Sequence, residues 1–453
     1  MKRFGSSGVR GRVPDELRPA DALEIAETAG EALSASRVAV GRDTRVTGEL
    51  FVEAVASGLA SVGTDVDRLG VVPTPGLQAY CEGEGVAGVM VTASHNPPTD
   101  NGLKLIGSDG VELTRNALSG IEQALAADRE PRRAAWEGVG RSRRVDGAAR
   151  DYRESVVAAV DRERIAGADL TVVIDPGHGA GALTSPDIFR ELGCSVLTVN
   201  AQPDGRFPGR NPEPVPENLA DLCRVVRTTD ADLGIAHDGD ADRAIFVDER
   251  GQLVEGDASL AAIAAVEAGA GDVVVSAVNA SQRLVDVVAA AGATLRLTAI
   301  GSTNIITAIR SAREAGETVP IAGEGNGGVL FPGYRIARDG AYTAARFCEL
   351  LADRPVSEVV APYDDYHNVR HDVGYETADE RDRMLAAVEE IARTADADLD
   401  TTDGYRLDVD DGWVLARPSG TEPVVRVYAE AGDPDRAAGL AERFVDALRA
   451  QRS

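Results

Sequence analysis

Lysine is almost absent from this sequence. Its 453 residues include only two lysines, Lys2 and Lys104, so nearly all of the 47 basic residues are arginine. The 74 acidic residues give a formal net charge of −27, which argues against nucleic acid as a partner. A broad acidic surface suits a high-salt cytoplasm, where screening weakens self-repulsion. Codon bias from lysine to arginine is the alternative, but it does not explain the acidic excess.

Cysteine is scarce too, and long apolar runs are missing. The cysteines lie far apart, and none shows a CxxC spacing: they are Cys81, Cys194, Cys223 and Cys348. This favours buried thiols over disulfides or a zinc site. No apolar run is long enough to span a bilayer, and the N-terminal MKRFGSSGVRG lacks an apolar signal core. We therefore expect a cytoplasmic protein without a membrane partner.

The sequence does contain a repeated strand-then-helix pattern. RVAVGRDTR (37–45) begins as a strand and ends in a polar loop, and a helix over 47–61 follows with Thr47 as its expected N-cap. LTVVIDPGHGAGA (170–182) and DVVVSAVNAS (272–281) repeat the strand and loop. Strands that alternate with helices indicate mixed or parallel sheets covered by helices.

A second series of apolar runs interleaves with the first. GVMVTASHN, LGIAHDGDAD and VPIAGEGNGG each end in a loop of small and polar residues, where open α/β sheets bind ligands. After these come alternating strands around turns and a closing helix over 434–449. The prediction is an α/β protein with three related mixed domains and a smaller C-terminal α+β domain. Their expected ranges are 1–150, 151–252, 253–364 and 365–453.

HDGDADRAIF (237–246) predicts a metal site. Asp238, Asp240 and Asp242 stand at every second position, so an extended or looped backbone turns all three carboxylates to one side. Hard oxygen ligands favour Mg²⁺. A solvated acidic turn is one alternative. A calcium loop is another, since Glu249 is the twelfth residue, but Arg243 stands where such loops need glycine.

VMVTASHNPPTDNGLKL (89–105) gathers Ser94, His95 and Lys104 in one loop. No GxSxG elbow surrounds the serine, so an esterase is disfavoured, although serine beside histidine can form a nucleophile and base. A serine that accepts a phosphoryl group beside the aspartate-bound metal fits better. Lys104 can act as acid and base on a hydroxyl, which arginine cannot do. For His95, a structural hydrogen bond remains the alternative to catalysis.

Two further loops are candidates for substrate binding. ARPSGTEP (416–423) offers Arg417, the hydroxyls of Ser419 and Thr421, and backbone N–H groups around Gly420, which together suit phosphate. An ordinary hairpin turn is the alternative. GEGNGG (323–328) lets a backbone approach a ligand while Glu324 and Asn326 bind hydroxyls, or it is simply a glycine-rich turn.

Taken in order, FGSSGVRG, GRDTR, TASHNP with NGLK, DGDADR, GEGNGG and RPSGTEP resemble the α-D-phosphohexomutase superfamily along the whole chain. The acidic composition adds a halophilic archaeon as the expected source. The resemblance implies four domains around a central cleft and interconversion of hexose 1- and 6-phosphates. It implies phosphoserine at Ser94, a bound hexose 1,6-bisphosphate that also acts as activator, and Mg²⁺ held by the three aspartates and Ser94.

The resemblance also assigns the other site residues. Arg243 and Arg10 steady the phosphoryl region, and Lys104 is the general acid/base with His95 assisting. Glu324 and Asn326 bind sugar hydroxyls. The non-reacting phosphate is held by Arg417, Ser419, Gly420 and Thr421.

Two segments depart from the pattern of many bacterial members. Asn326 and Gly328 replace the serine and histidine of a GExSGH loop, and residues 298–301 lack the lysine of a TKVG-like segment. The sugar therefore stays open among glucose, mannose and glucosamine. A Mg²⁺-dependent sugar phosphatase and a phosphosugar-binding sensor are the alternative functions. We expect a monomer or homodimer whose partner is a small phosphosugar.

Overall fold

The computed structural model describes residues 5, 8–127, 130–419 and 422–452. The chain divides into two compact units, Met1–Ser259 with Asn326–Val359 and Leu260–Gly325 with Val360–Ser453. Strands and helices alternate through most of both units, as the sequence predicts. Within the described ranges, no helix combines the length and hydropathy that a bilayer crossing requires.

The first unit opens with a six-stranded sheet and four helices. These elements are β1 (Val9–Arg12), α1 (Pro19–Leu33), β2 (Arg37–Arg42), α2 (Gly48–Ser61), β3 (Asp65–Val71), α3 (Thr74–Glu84), β4 (Ala87–Val91), β5 (Asp100–Ile106), α4 (Arg115–Ala126) and β6 (Ser142–Arg144). The strand order is β1-β5-β4-β2-β3-β6, with β2 parallel to β3 and β4. On β2, Val38 and Val40 pack with α1 and α2, whereas Ala39 packs with α3. Helices on both faces explain why the middle of this strand, Val38–Val40, is apolar and buried without alternation.

The start of α2 differs from the prediction in how Thr47 uses its hydroxyl. Thr47 directly precedes the helix, as predicted, but its hydroxyl does not cap the helix. It accepts a hydrogen bond from Asn101 Nδ2 at 2.9 Å instead. The tertiary contact with β5 therefore replaces the local capping bond.

A second sheet of the first unit follows. Its elements are α5 (Ala148–Ala158), α6 (Arg162–Gly167), β7 (Thr171–Asp175), α7 (Ser185–Glu191), β8 (Ser195–Thr198), α8 (Ala220–Thr228), β9 (Leu233–Ala236), β10 (Ile245–Val247) and β11 (Leu253–Val254). The strand order is β11-β10-β9-β7-β8, with β7 parallel to β8 and β9. The loop that carries the three aspartates begins directly after β9, and the Ser94 loop begins directly after β4.

The third series of elements lies partly in each unit. It comprises α9 (Gly256–Glu267), β12 (Val273–Ala277), α10 (Gln282–Ala290), β13 (Thr294–Thr298), α11 (Ser302–Glu314), β14 (Ala322–Glu324), β15 (Gly328–Phe331), β16 (Arg335–Arg338), α12 (Gly340–Leu350) and α13 (Val356–Val360). In the second unit, β12 is parallel to β13 and β14. In the first unit, β15 and β16 form an antiparallel pair. The strand predicted from VPIA begins only at Ala322 and includes Glu324.

The second unit ends in a five-stranded antiparallel sheet with two helices. Its elements are β17 (His367–Gly374), α14 (Ala378–Thr394), β18 (Asp398–Asp400), β19 (Tyr405–Val409), β20 (Gly412–Pro418), β21 (Val424–Ala431) and α15 (Pro434–Arg449). The strand order is β17-β21-β20-β19-β18. Met384 of α14 and Phe444 of α15 pack with Val414 and Val427 of the sheet. The small C-terminal α+β domain is therefore confirmed, with its predicted closing helix.

Candidate active site

The loop after β4 holds Ser94 in a buried, left-handed conformation. Its φ angle is 53°, and its side chain is buried. The backbone N–H donates to Thr92 Oγ1 at 2.8 Å. The hydroxyl donates to Asp238 Oδ2 at 2.7 Å, although the two residues are 144 positions apart in sequence. The structure therefore joins the serine loop to the aspartate loop within the first unit.

The loop after β9 brings three buried carboxylates together, as the alternating spacing predicts. One oxygen from each of Asp238, Asp240 and Asp242 lies within 4.8 Å of the others. Gly239 permits this approach, because a Cβ there would lie 2.6 Å from the carbonyl oxygen of Ser94. The Oδ1 atom of each aspartate is buried and has no hydrogen-bond partner among the described residues. Each Oδ2 atom, by contrast, accepts at least one hydrogen bond.

Lys104, Thr74 and Arg338 supply the donors to two of these Oδ2 atoms. Asp240 Oδ2 accepts from Thr74 Oγ1 at 2.5 Å and from Lys104 Nζ at 2.7 Å. Asp242 Oδ2 accepts from Lys104 Nζ at 2.9 Å and from Arg338 Nη2 at 2.7 Å. Lys104 is 2% exposed, so both of its ion pairs are buried. Lys104 is predicted from the sequence, whereas Thr74, at the start of α3, and Arg338, at the end of β16, are not.

Burial and mutual repulsion perturb the acids of this cluster. Burial, together with Asp242 and Asp240, raises the pKa of Asp238 to about 8. Burial alone would raise the pKa of Asp242, but Arg338 and Lys104 outweigh it and hold that pKa well below its usual range. Burial would lower the pKa of Lys104, but Asp240 and Asp242 outweigh it, so that pKa is raised. The two carboxylates therefore favour the protonated form of Lys104.

The donor set fits a hard divalent cation. Three buried carboxylates that converge, each with one oxygen that accepts no hydrogen bond from the described residues, are costly unless a cation compensates them. The calcium alternative is not supported, since Glu249 accepts hydrogen bonds from the backbone N–H and hydroxyl of Ser357. A strand, β10, also stands where a calcium loop would continue into a helix. Mg²⁺ fits these oxygen ligands better.

Basic side chains surround the Ser94 loop. Arg243 Nη2 donates to His95 Nδ1 at 3.1 Å, so this ring nitrogen carries no proton. Arg243, with burial as the second cause, lowers the pKa of His95 to about 2. Arg243 Nε lies 3.8 Å from Asp242 Oδ1, and Arg10 Nη1 donates to Asn96 Oδ1 at 3.0 Å. The first unit thus brings Arg10 and Arg243 beside the serine, as predicted, with a neutral His95.

Family models for phosphoglucomutase/phosphomannomutase match nearly the whole chain. The α/β/α domains I, II and III match residues 1–132, 150–251 and 255–366, and the C-terminal domain matches residues 375–447. The chain belongs to the phosphoglucomutase/phosphomannomutase family. The predicted superfamily and the isomerase-type phosphotransferase class are thereby confirmed.

Individual members of the family match this chain along nearly its full length. A probable phosphoglucosamine mutase of Methanopyrus kandleri is 43% identical over 99% of this chain and 98% of its own. A phosphoglucomutase/phosphomannomutase of Thermococcus kodakarensis is 40% identical over 96% of each chain. The crystal structure of a family protein from Burkholderia thailandensis superposes with a TM-score of 0.85 at 28% identity, covering 99% of this chain and 97% of the other.

The GEGNGG loop of this phosphohexomutase, predicted to bind sugar hydroxyls, lies partly in each unit. In the second unit, Glu324 is buried on β14. In the first unit, the exposed Asn326 accepts a hydrogen bond from the backbone N–H of Gly328 at 3.0 Å, so part of its amide is already used. The loop therefore keeps its shape without the serine and histidine of the bacterial phosphohexomutase pattern.

The predicted phosphate loop of the family lies in the second unit. Arg417 Nε forms an ion pair with Asp403 Oδ2 at 2.9 Å, and the same oxygen accepts from the backbone N–H of Ile300 at 3.1 Å. Ser419 donates its backbone N–H to Val424 O at 2.9 Å. Gly420 and Thr421, also predicted for this loop, lie outside the described residues.

Proposed function

We propose that this chain interconverts hexose 1-phosphates and hexose 6-phosphates through phosphoserine at Ser94. A bound hexose 1,6-bisphosphate is the intermediate and also the activator that first loads the serine. The observation that carries the proposal is the 2.7 Å hydrogen bond from Ser94 Oγ to Asp238 Oδ2, beside three unpaired carboxylate oxygens. A phosphoryl group on Ser94 would lie next to the ligands of a divalent cation.

Mg²⁺ is the proposed cofactor, and the carboxylates of Asp238, Asp240 and Asp242 would hold it together with an oxygen on Ser94. When bound, it supplies positive charge that neutralises the phosphoryl oxygens during transfer. The chain itself adds Arg243 and Arg10 beside the Ser94 loop. These arginines orient the phosphoryl group, and their hydrogen bonds to His95 and Asn96 hold them in place.

Lys104 acts first as the general acid, because its raised pKa keeps it protonated. As Ser94 Oγ attacks phosphorus, the Oγ–P bond forms and the bond from phosphorus to the sugar oxygen breaks. Lys104 protonates that sugar oxygen, and the serine proton passes to Asp238 Oδ2. In the opposite transfer, Lys104 takes the proton of the sugar hydroxyl, and Asp238 returns a proton to Ser94 Oγ.

His95 acts by orientation in this proposal. A ring with a pKa of about 2 stays neutral at physiological pH, so it is a poor proton donor. Its Nδ1 atom instead accepts from Arg243 and lies 3.4 Å from Ser94 Oγ. This supports the structural alternative for His95 over direct acid–base catalysis.

The substrate class is a phosphorylated aldohexose. Glu324 and Asn326 are the proposed partners of sugar hydroxyls, and Arg417, Ser419, Gly420 and Thr421 are the proposed partners of the non-reacting phosphate. Relatives described as phosphoglucosamine mutase and as phosphoglucomutase/phosphomannomutase match at similar identity. The sugars to compare are therefore glucose, mannose and glucosamine, each as the 1-phosphate.

The test is a coupled assay in high salt with hexose 1,6-bisphosphate and Mg²⁺, using Ser94→Ala and the exposed Ser142→Ala as matched control. Wild type and Ser142→Ala should form hexose 6-phosphate and conserve phosphate, and Ser94→Ala should form none. Turnover by a folded Ser94→Ala protein would reject the phosphoserine. Stoichiometric release of inorganic phosphate by wild type would instead identify a sugar phosphatase.

A further inference from the structure

The GRDTR segment contributes a buried arginine that spans the serine loop. Arg45 is 1% exposed, and its guanidinium donates to four backbone carbonyls of one irregular segment. The acceptors are Ser94 O (2.8 Å), Asn96 O (2.7 Å), Pro97 O (2.6 Å) and Asp100 O (2.9 Å). One planar guanidinium therefore donates the hydrogen bonds to these carbonyls that a helix or sheet would otherwise provide.

Arg45 also forms a buried ion pair with Asp43, and this pair is connected to the backbone N–H of Ser94. Arg45 Nε donates to Asp43 Oδ2 at 3.0 Å, and Thr92 Oγ1 donates to the same oxygen at 2.7 Å. The Thr92 hydroxyl in turn accepts from the backbone N–H of Ser94 at 2.8 Å. Both the N–H and the C=O of Ser94 are thus fixed by one buried pair, Asp43 and Arg45.

A second buried arginine repeats this arrangement at the aspartate loop. Arg210 Nε donates to Asp175 Oδ2 at 2.9 Å, and its Nη2 donates to the carbonyl of His237 at 2.6 Å. Its Nη1 donates to the carbonyls of Asn211 and Pro212. His237 directly precedes Asp238, so Arg210 fixes the backbone from which the first carboxylate projects.

The two arginine-held segments contact each other. Arg45 pairs with Gly205 in an isolated β-bridge, and a Cβ at Gly205 would collide with the carbonyl of Thr44. Thr44 Oγ1 donates to the carbonyl of His178 at 3.0 Å. Gly205 and Arg210 lie in the same loop between β8 and α8. The contact of Arg45 with Gly205 therefore connects the serine side of the site to the aspartate side.

We propose that Arg45 and Arg210 are positioning residues that set Ser94 Oγ against Asp238 for phosphoryl transfer. This inference rests on the phosphoserine function proposed above. Arginine suits the role because its five N–H donors point in fixed directions, whereas an ammonium has three donors at one atom. A displacement of about 1 Å at a reacting group can reduce a rate by about a hundredfold. Neither arginine contacts a reacting atom, so both act through the loops that they hold.

The experiment compares Arg45→Lys and Arg210→Lys with Arg283→Lys. Arg283 is an equally buried arginine of the second unit that donates to the carbonyls of Tyr363 and Tyr366 at 2.5 and 2.7 Å. All three variants should melt at lower temperature. Only Arg45→Lys and Arg210→Lys should lose about ten- to a hundredfold in kcat per folded molecule, with KM for the hexose phosphate unchanged.

Thr92→Val provides a second test of the proposal if the Arg45→Lys variant does not fold. It removes only the hydroxyl that links Asp43 to the N–H of Ser94, and it should lower kcat about tenfold at unchanged KM. Equal kcat per folded molecule for Thr92→Val, Arg210→Lys and Arg283→Lys would overturn the inference. Mass spectrometry of Ser94 separates the two hypotheses: wild type that never carries phosphate overturns the phosphoserine function, whereas phosphorylated wild type with unimpaired variants overturns the positioning role alone.

Discussion

Removal of the Lys104 charge tests the electrostatics of the site most directly. Lys104→Met keeps an unbranched side chain of similar length, so the packing around the stem is largely retained. What it removes is the ammonium that lies 2.7 Å from Asp240 Oδ2 and 2.9 Å from Asp242 Oδ2 in a 2% exposed position. Lys104→Arg, by comparison, retains the charge but cannot release a proton.

The structure sets the magnitude of the effect on stability. Breaking a buried ion pair costs about 3–5 kcal/mol, because it leaves a charge without compensation. Thr74 still donates to Asp240 and Arg338 still donates to Asp242, so we expect the lower end, about 3 kcal/mol. At about 2–4 °C per kcal/mol, the melting temperature should fall by about 6–12 °C.

The sign of the pH dependence follows from the raised pKa of Lys104. The folded state holds this proton more tightly than the unfolded chain does, so the stabilisation is present at neutral pH. It is lost as the pH rises above about 10.4, the ordinary pKa of lysine. The melting temperatures of wild type and Lys104→Met should therefore converge at strongly alkaline pH.

Thermal melts with and without MgCl₂, and the coupled mutase assay, measure these effects. Mg²⁺ should stabilise Lys104→Met more than wild type, because the variant lacks the cation that competes for the carboxylates. Turnover should fall by about 10²–10⁴ in both variants, the contribution typical of general acid–base catalysis. Lys104→Arg with kcat close to wild type would refute the proton-transfer role. An unchanged melting temperature in Lys104→Met would refute the electrostatic reasoning.

Three further outcomes are expected. Thr74→Val removes a donor to Asp240 Oδ2 and should weaken Mg²⁺ binding about tenfold by calorimetry; unaltered affinity would show that Lys104 alone orients this carboxylate. Burial raises the pKa of the thiols of both Cys81 and Cys223, but Cys223 is only half-buried while the other cysteines are buried, so a thiol reagent at alkaline pH should label Cys223 first in peptide mass spectrometry. Melting temperature should increase from dilute buffer to molar KCl, and a constant value would contradict the high-salt interpretation of the acidic composition.

Much of the site could be predicted because its key residues carry local signals. The alternating carboxylates of the aspartate loop and the strand before it are visible in the ten residues LGIAHDGDAD, and the rarity of lysine makes Lys104 conspicuous. Thr74 and Arg338 carry no such signal, because each meets its aspartate only through the tertiary fold, 166 and 96 residues away.

Two further features that the sequence did not predict, the raised pKa of Lys104 and the uncapped start of α2, have the same physical origin. The raised pKa of Lys104 has no local signal, because the two carboxylates that raise it, Asp240 and Asp242, lie in a loop of another sheet. The hydroxyl of Thr47 bonds to Asn101 of β5, a tertiary contact that outweighs its propensity for capping. Local sequence patterns thus predicted which groups are present, and long-range contacts decided their protonation and partners.

The arginine that spans the Ser94 turn has a consequence for how this loop can vary. Arg45 recognises only main-chain oxygen atoms there, and every residue type offers the same carbonyl. The hydrogen bonds from Arg45 therefore do not depend on which side chains stand at positions 96, 97 and 100, whereas the contact of Asn96 with Arg10 does. Asp43 and Arg45, about fifty residues earlier in the sequence, fix the backbone path of the loop. Side chains of the loop can therefore change while its backbone geometry stays the same.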